Sequence, residues 1–166
     1  EVALVRETIG WSHPPFHVPE EIYAGWDARA AGQQQETAWR ERMAAYREAH
    51  PELAAELDRR LAGELPDGWA EHAARLLRET DGKGESVATR KASQAAITGF
   101  AEILPELLGG SADLTGSNNT RWKTATDITR DAPDGGYLYY GVREFAMSAI
   151  INGIALHGGF RPFGGP

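Results

Sequence analysis

Residues 137–159, Tyr-Leu-Tyr-Tyr-Gly-Val-Arg-Glu-Phe-Ala-Met-Ser-Ala-Ile-Ile-Asn-Gly-Ile-Ala-Leu-His-Gly-Gly, decide how this chain folds. They place one carboxylate, that of Glu144, at the start of a helix that is apolar nearly all round. From residue 145 to residue 156 the only polar side chains are Ser148 and Asn152. Such a helix is expected to be buried, and a glutamate is rarely buried unless it is paired or has a chemical task. The pattern therefore marks Glu144 as a candidate for holding or sharing a proton.

The position of Glu144 also has a purely structural interpretation. Acidic side chains are favoured in the first turn of a helix, because the N-terminal end of a helix carries a partial positive charge. The neighbouring Arg143 could in addition form an ion pair with this carboxylate. Spacing alone leaves both interpretations open.

Three further stretches match one known family, in its order and at compatible spacings. The first is Thr89-Arg90-Lys91-Ala92-Ser93, and the second is Gly-Gly-Ser-Ala-Asp-Leu-Thr-Gly-Ser-Asn at 109–118. The third is an N-terminal segment that contains Ile9-Gly10-Trp11, Pro15-Phe16, Pro19, Ile22-Tyr23 and Trp26. Together with Gly-Val-Arg-Glu-Phe at 141–145, followed by Asn-Gly and His-Gly-Gly, they resemble transketolases. The resemblance covers essentially the whole chain.

The resemblance implies an α/β protein that holds part of a thiamine-diphosphate-binding fold. Residues 1–50 would form the C-terminal end of the diphosphate-binding domain, and residues 51–86 a helical linker. Residues 87–166 would form the N-terminal part of the pyrimidine-binding domain, half of a doubly wound parallel sheet. We therefore expect the chain to be an internal piece of a longer enzyme.

The resemblance also implies a role for five residues. Glu144 would be catalytic and would bind the cofactor, through a hydrogen bond to N1′ of the thiamine aminopyrimidine. Asp113 and Leu114 would contact the thiamine rings, whereas Arg90 and Ser117 would bind the sugar phosphate. Without the resemblance, Arg90 would be an ordinary charged residue at a helix start, Ser117 a turn former and Asp113 a cap.

The chain departs from the family pattern in several places. Gly116 stands where many relatives have proline, which would loosen the loop that carries Ser117. Tyr139-Tyr140 stands where a histidine-tyrosine pair is common. The family's metal- and diphosphate-binding segment is not in this sequence, so the Mg²⁺ ligands would lie outside this chain. The active-site histidines and the aromatic residues that sandwich the pyrimidine are outside it too.

The activity implied is transfer of a two-carbon ketol unit from a ketose phosphate to an aldose phosphate, in the pentose phosphate pathway. The resemblance further implies thiamine diphosphate and Mg²⁺ as cofactors and a homodimer, with the active site at the subunit interface. The isolated chain is expected to be inactive. Two alternatives stay open: a dihydroxyacetone-synthase-like thiamine enzyme, and a non-catalytic module with a degenerate thiamine fold.

Composition and charge argue against several other kinds of function. The formal net charge of −7 argues against a nucleic-acid or anionic-membrane surface. The sequence has no cysteine, and no signal peptide or long apolar run stands at its start, so a cytoplasmic location is expected. His13 and His17 have the spacing of helical metal ligands, but the prolines between them preclude a helix. We interpret both as ordinary loop histidines.

Local patterns predict most of the helices and strands. They predict a helix over 20–31, a domain boundary at 81–85, and a small-residue turn at Gly109-Gly110-Ser111. A short strand is expected at 137–140. In this chain the apolar helix that follows is expected to be partly uncovered, because strands that would pack on it are missing.

Overall fold

The computed structural model describes all residues of the chain, Glu1–Pro166. Helices and strands follow one another as α1 (Val2–Thr8), α2 (Glu20–Trp26), α3 (Arg29–Ala49), α4 (Pro51–Leu61), α5 (Trp69–Lys83), α6 (Thr89–Ala101), β1 (Leu107–Ser111), α7 (Thr115–Asn118), β2 (Tyr137–Tyr139), α8 (Glu144–His157) and β3 (Arg161–Gly165). Residues Glu1–Pro51 and Glu52–Pro166 form two compact units. No helix is long and apolar enough to cross a membrane.

The first unit consists of three helices, and one of its boundaries differs from the prediction. The helix predicted over 20–31 stops at Trp26, and α3 begins at Arg29. Asp27 between them has extended backbone, and its carboxylate accepts hydrogen bonds from the backbone N–H and Nε of Arg29, at 3.1 and 2.8 Å. A short acidic side chain that bonds to nearby backbone competes with the helix, which explains the break.

The second unit is built on a three-stranded parallel sheet in the order β2-β1-β3. Helix α8 connects β2 to β3 and passes the central strand β1, as parallel pairing requires. Helix α6 packs on one face through Ile97 and Ala101, which contact Trp122 and Tyr137. Helix α8 packs on the opposite face through Met147 and Ile151. Helices on both faces of a parallel sheet confirm the predicted α/β class with a partial doubly wound domain.

The prediction of a turn at Gly109-Gly110-Ser111 is wrong, because these residues form the carboxyl half of the central strand β1. A Cβ on Gly109 would lie 2.3 Å from the ring of Phe163, and one on Gly110 would lie 1.7 Å from the Leu138 carbonyl oxygen. Both glycines therefore mark places where neighbouring strands approach closely, rather than a turn. Pattern reading alone favours a turn, since glycine pairs are common there.

The predicted boundary at 81–85 coincides only in part with a loop. Helix α5 continues through Lys83 and ends at Gly84, which has the left-handed backbone typical of a helix end. The connection to α6 is therefore confined to residues 84–88. The division between a linker and a pyrimidine-binding domain near residue 86 stays a prediction.

A buried ion pair joins α4 to the sheet. The Glu106 carboxylate is 2% exposed and accepts from both terminal nitrogens of Arg59, at 3.0 and 2.9 Å. Arg161, the first residue of β3, donates from Nε to the same carboxylate at 3.3 Å. Glu56 on α4 accepts from Arg59 as well, at 2.8 Å. This network fixes α4 to the start of β3.

Helix α8 is only partly buried, although most of its side chains are apolar. Met147 is buried against the sheet, but Phe145 is 90% exposed and Leu156 is 88% exposed. The expectation of a dry, apolar site around Glu144 is therefore not met within this chain, where Ile150 is exposed too. The expectation that the helix is partly uncovered is confirmed, since only the face toward the sheet has partners here.

Candidate functional site

A cavity of about 660 Å³ lies at the carboxyl ends of β1 and β3. Its lining residues come from the first turns of α6, from α7 and the loop just after it, and from the end of β3: Thr89, Arg90, Ser93, Ile97, Ser117, Asn118, Thr120, Phe163, Gly164, Gly165 and Pro166. The strand order reverses at β1, because the chain moves to one side for β2 and to the other for β3. Open parallel sheets bind ligands outside the carboxyl ends of their strands at such a switch point.

Arg90 lies in the first turn of α6 and faces this cavity without an ion pair or hydrogen bond to the rest of the chain. The N-cap of α6, Ala88, supplies no side-chain hydrogen bond either. The first N–H groups of a helix lack partners within it and favour anions. An unpaired guanidinium at such a helix end, beside the hydroxyls of Thr89 and Ser93, suits a phosphate group.

Ser117 also lines this cavity and lies in the short helix α7. The two residues to which the family resemblance assigns the sugar phosphate thus line one cavity. Gly116 beside it has open space around the position of a Cβ, so nothing in its surroundings requires glycine there. The loop is therefore held by other residues.

Those other residues were missed by sequence reasoning. The hydroxyl of Tyr137, which is 0% exposed, lies 2.9 Å from Oγ1 of Thr115 and 2.7 Å from Oγ1 of Thr120. Lys91 on α6 donates from Nζ to Oδ1 of Asn119 at 3.0 Å. The tyrosine run at 137–140 signals a strand, but no local pattern reveals hydrogen bonds between residues this far apart in the chain.

Glu144 is the first residue of α8 and is exposed. The additional ion pair with Arg143 that the structural interpretation allowed is not formed; the Arg143 guanidinium donates instead to the Tyr140 carbonyl oxygen at 2.9 Å. Ser148 donates to the backbone oxygen of Glu144 at 2.9 Å and leaves its carboxylate free. The carboxylate has no protein partner in this chain and is available to a ligand.

Asp113 and Leu114 follow β1 at the same edge of the sheet from which the Glu144 segment leaves β2. Ser111 pairs with Tyr139, so the chain leaves these two neighbouring strands side by side. Asp113 has a left-handed backbone with φ 73°, and its carboxylate makes no hydrogen bond, so it does not cap α7. Neither residue lines the cavity that Arg90 and Ser117 share.

The side chains that follow β1 and β2 are of the types that the ring end of thiamine diphosphate would need. Leu114, Val142 and Phe145 are exposed apolar side chains, and the Glu144 carboxylate is exposed without a protein partner. An aromatic ring with a hydrogen-bonding nitrogen needs such apolar surface together with one polar group. For the diphosphate end, the chain has no cluster of three or more His, Asp or Glu side chains that could hold a metal ion.

Comparison with known proteins gives the same family for both units. Residues 85–165 match the domain family described as "Transketolase, pyrimidine binding domain", and residues 1–66 match "Transketolase, thiamine diphosphate binding domain". The chain is 51% identical to transketolase 2 of Escherichia coli strain K12 over 163 residues. It is 53% identical to transketolase 1 of Pasteurella multocida over 165 residues.

Solved structures agree with the sequence matches. The transketolase of Pichia stipitis in complex with sedoheptulose 7-phosphate superposes on 92% of this chain with a TM-score of 0.76 and 39% identity. The transketolase of Leishmania mexicana superposes on 93% with a TM-score of 0.75 and 34% identity. This chain covers 23% and 22% of those two structures, and 24% of the Escherichia coli protein.

The chain thus spans about a quarter of the length of the curated relatives that it matches. The similarity to the Escherichia coli protein extends over 98% of the residues of this chain. The two domain families, the relatives and the superposed structures all carry the same name. This chain belongs to the transketolase family.

Proposed function

We propose that this chain is part of a transketolase that moves a two-carbon ketol unit from a ketose phosphate to an aldose phosphate, in the pentose phosphate pathway. The observation that supports the proposal most is the convergence of Arg90 and Ser117 on one cavity at the carboxyl ends of β1 and β3. The neighbouring strand end carries Glu144 with a free carboxylate. A phosphate site thus lies at the same sheet edge as a candidate cofactor site.

Arg90 is proposed to bind the substrate phosphate. Its guanidinium has no competing acidic partner and lies at the N-terminus of α6, which itself attracts anions. Ser117, which lines the same cavity, would add a hydroxyl donor. The phosphate fixes the sugar at one end, so that its reacting carbon is held toward the cofactor.

Glu144 is proposed as the catalytic residue of this chain, through a hydrogen bond to N1′ of the thiamine pyrimidine. Thiamine diphosphate, when bound, supplies the nucleophilic carbon and the electron sink for the transferred unit. Glu144 would hold the proton at N1′, and Asp113 and Leu114 would contact the thiamine rings. A carboxyl group suits proton exchange best in a dry site, so the exposed surroundings of Glu144 must be covered in the working enzyme.

The rest of the enzyme is proposed to supply that cover. Relatives are about four times as long as this chain, and its apolar residues Phe145 and Leu156 have no partners here. We propose that the parent is a cytoplasmic homodimer, and that its remaining segments supply the Mg²⁺ and diphosphate ligands. By this account the isolated chain neither binds thiamine diphosphate tightly nor catalyses transfer.

Two measurements test this proposal. The full-length enzyme that contains this chain is assayed with xylulose 5-phosphate and ribose 5-phosphate, with and without thiamine diphosphate and Mg²⁺; cofactor-dependent transfer is expected. Absence of any transfer would favour a non-catalytic module, and comparison of acceptors separates a dihydroxyacetone-synthase-like enzyme. Calorimetric titration of the isolated chain should show no tight binding, whereas micromolar, Mg²⁺-dependent binding would contradict the proposed division of the site.

A further inference from the structure

A single buried hydroxyl holds both ends of the segment that carries Ser117. The Tyr137 hydroxyl contacts Thr115 at the start of α7 and Thr120 just beyond its end, at 2.9 and 2.7 Å. A phenol can donate to one threonine and accept from the other. Tyr137 and Thr120 are buried, so water cannot easily replace the bond between them, whereas Thr115 is half-buried.

Other contacts restrain the segment as well. The side-chain amide of Asn118 donates to Oγ of Ser111 at 3.3 Å and to the backbone oxygen of Pro166. Helix α7 has no side-chain cap, and a Cβ on Gly116 within it would meet no atom within 4 Å. Lys91 binds Asn119 from outside through an exposed hydrogen bond, which is a weaker restraint than a buried one. Among these contacts, the Tyr137 hydroxyl is the one that joins residues at both ends of the segment.

The tyrosine itself is rigidly placed. Tyr137 begins β2, and its backbone lies opposite Gly109 in the central strand. Trp122 packs edge-on against its ring, with 6.1 Å between centroids, and the Arg121 guanidinium lies 5.9 Å from the ring centroid. Because the Tyr137 side chain is held by contacts on several sides, it fixes the loop that it binds relative to the sheet.

We propose that Tyr137 is a positioning residue for the substrate phosphate: its hydroxyl holds Thr115 and Thr120 so that Ser117 stays in the lining of the cavity that Arg90 also lines. This inference rests on the proposed function, because it assigns Tyr137 to the phosphate site of the same reaction. Tyr137 does not line the cavity and acts only through the loop. Its loss should therefore weaken the binding of phosphorylated substrates and leave the chemical step intact.

The test compares Tyr137→Phe with Tyr139→Phe in the full-length enzyme. Tyr139 is a matched control, since it lies on the same strand, packs against the Tyr137 ring and makes no hydrogen bond through its hydroxyl. For Tyr137→Phe we expect KM for xylulose 5-phosphate to rise about fivefold or more, with kcat within about twofold. With hydroxypyruvate, a donor without phosphate, both constants should stay near those of the unchanged enzyme.

A second pair of variants keeps the test valid if Tyr137→Phe folds poorly. Thr115→Ala removes the same hydrogen bond from the half-buried partner, and Thr115→Ser restores a hydroxyl. The alanine variant should reproduce the rise in KM, and the serine variant should reverse most of it. The effects of Tyr137→Phe and Thr115→Ala should fall short of additive, because both variants lose the hydrogen bond between Tyr137 and Thr115.

The outcomes separate this inference from the proposed function. An unchanged enzyme without transfer activity would overturn the proposed function itself. An active enzyme in which Tyr137→Phe matches Tyr139→Phe, or in which Thr115→Ala leaves KM unchanged, would overturn the positioning role alone. Equal losses with phosphorylated and unphosphorylated donors would show that Tyr137 supports the fold in general rather than the phosphate site.

Discussion

Arg90 and Ser117 line a single cavity, although one lies in the first turn of α6 and the other belongs to α7 beyond the central strand. The cavity opens at the carboxyl edge of a parallel sheet, where ligands of such folds bind. A guanidinium without a protein partner and a hydroxyl are both donors that suit phosphate oxygens. The first prediction follows from this pair.

Arg90→Ala should raise KM for xylulose 5-phosphate in the full-length enzyme by about tenfold or more, because a charge-assisted contact contributes about 1.5–3 kcal/mol. The same change should have little effect with hydroxypyruvate, which has no phosphate. Arg78→Ala is the control, since Arg78 is an exposed arginine on α5 without an ion pair. Equal effects of Arg90→Ala on both donors would remove Arg90 from the phosphate site.

The buried carboxylate of Glu106 yields a stability prediction. Glu106→Ala leaves Arg59 and Arg161 without their shared partner, and loss of one member of a buried pair costs about 3–5 kcal/mol. Thermal unfolding should therefore show a midpoint lowered by several degrees. The control Glu36→Ala breaks the exposed pair with Arg40 and should change stability by about 1 kcal/mol or less. Similar midpoints for both variants would contradict the account.

Stability should also fall in acid, and the direction follows from two glutamates. Hydrogen bonds from Arg59 lower the pKa of Glu56 from 4.5 to about 2. Burial raises the pKa of Glu106, but hydrogen bonds from Arg59 and Arg161 more than offset this, and the net pKa is lowered. Groups with a lowered folded-state pKa contribute stability above their unfolded pKa and lose it as pH falls through the folded value.

The melting midpoint should therefore decline between about pH 5 and pH 2. In Glu56→Gln the decline should be smaller, because this side chain no longer takes up a proton on unfolding. Melting curves recorded at several pH values check both statements. A midpoint that is constant over this range, or an identical decline in Glu56→Gln, would show that the network does not control acid stability.

Tyr140 provides the opposite case to Tyr137. Its hydroxyl is buried without a hydrogen-bond partner, and burial, with a smaller effect of Tyr137, raises its pKa. An unsatisfied buried hydroxyl costs about 1–3 kcal/mol, so Tyr140→Phe should keep or raise the melting midpoint, whereas Tyr137→Phe should lower it. A clear drop for Tyr140→Phe would reveal a partner for this hydroxyl in the working enzyme.

Sequence patterns predicted the elements whose signal is local. The strand at 137–139 and the helix after it follow from hydrophobic runs and a glycine turn, and the α/β class follows from their order. The strand at 107–111 was read partly as a turn, because its glycines serve close contacts with Phe163 and Leu138 that no local pattern contains. The break between α2 and α3 depends on the hydrogen bond from the Arg29 backbone N–H to the Asp27 carboxylate, and no local pattern predicts it.

In the candidate site, too, some features could be predicted from the sequence and others could not. Arg90 and Ser117 could be assigned from motifs, and the topology then places them on one cavity. The dry surroundings expected for Glu144 are not formed by this chain, because Phe145 and Ile150 are exposed. The Tyr137 hydrogen bonds went unpredicted, because they join residues from separate elements that meet only in the folded sheet.

The most direct test of the account replaces Glu144 by glutamine in the full-length enzyme. The exchange keeps the size of the side chain but removes its ability to hold a proton at N1′ of the pyrimidine. Loss of a general acid/base contact costs about a hundredfold or more, so kcat for transfer from xylulose 5-phosphate to ribose 5-phosphate should fall at least that far. Glu85→Gln, an exposed carboxylate before α6, should leave kcat unchanged. A Glu144→Gln enzyme that keeps its rate within about twofold would contradict the catalytic role of Glu144.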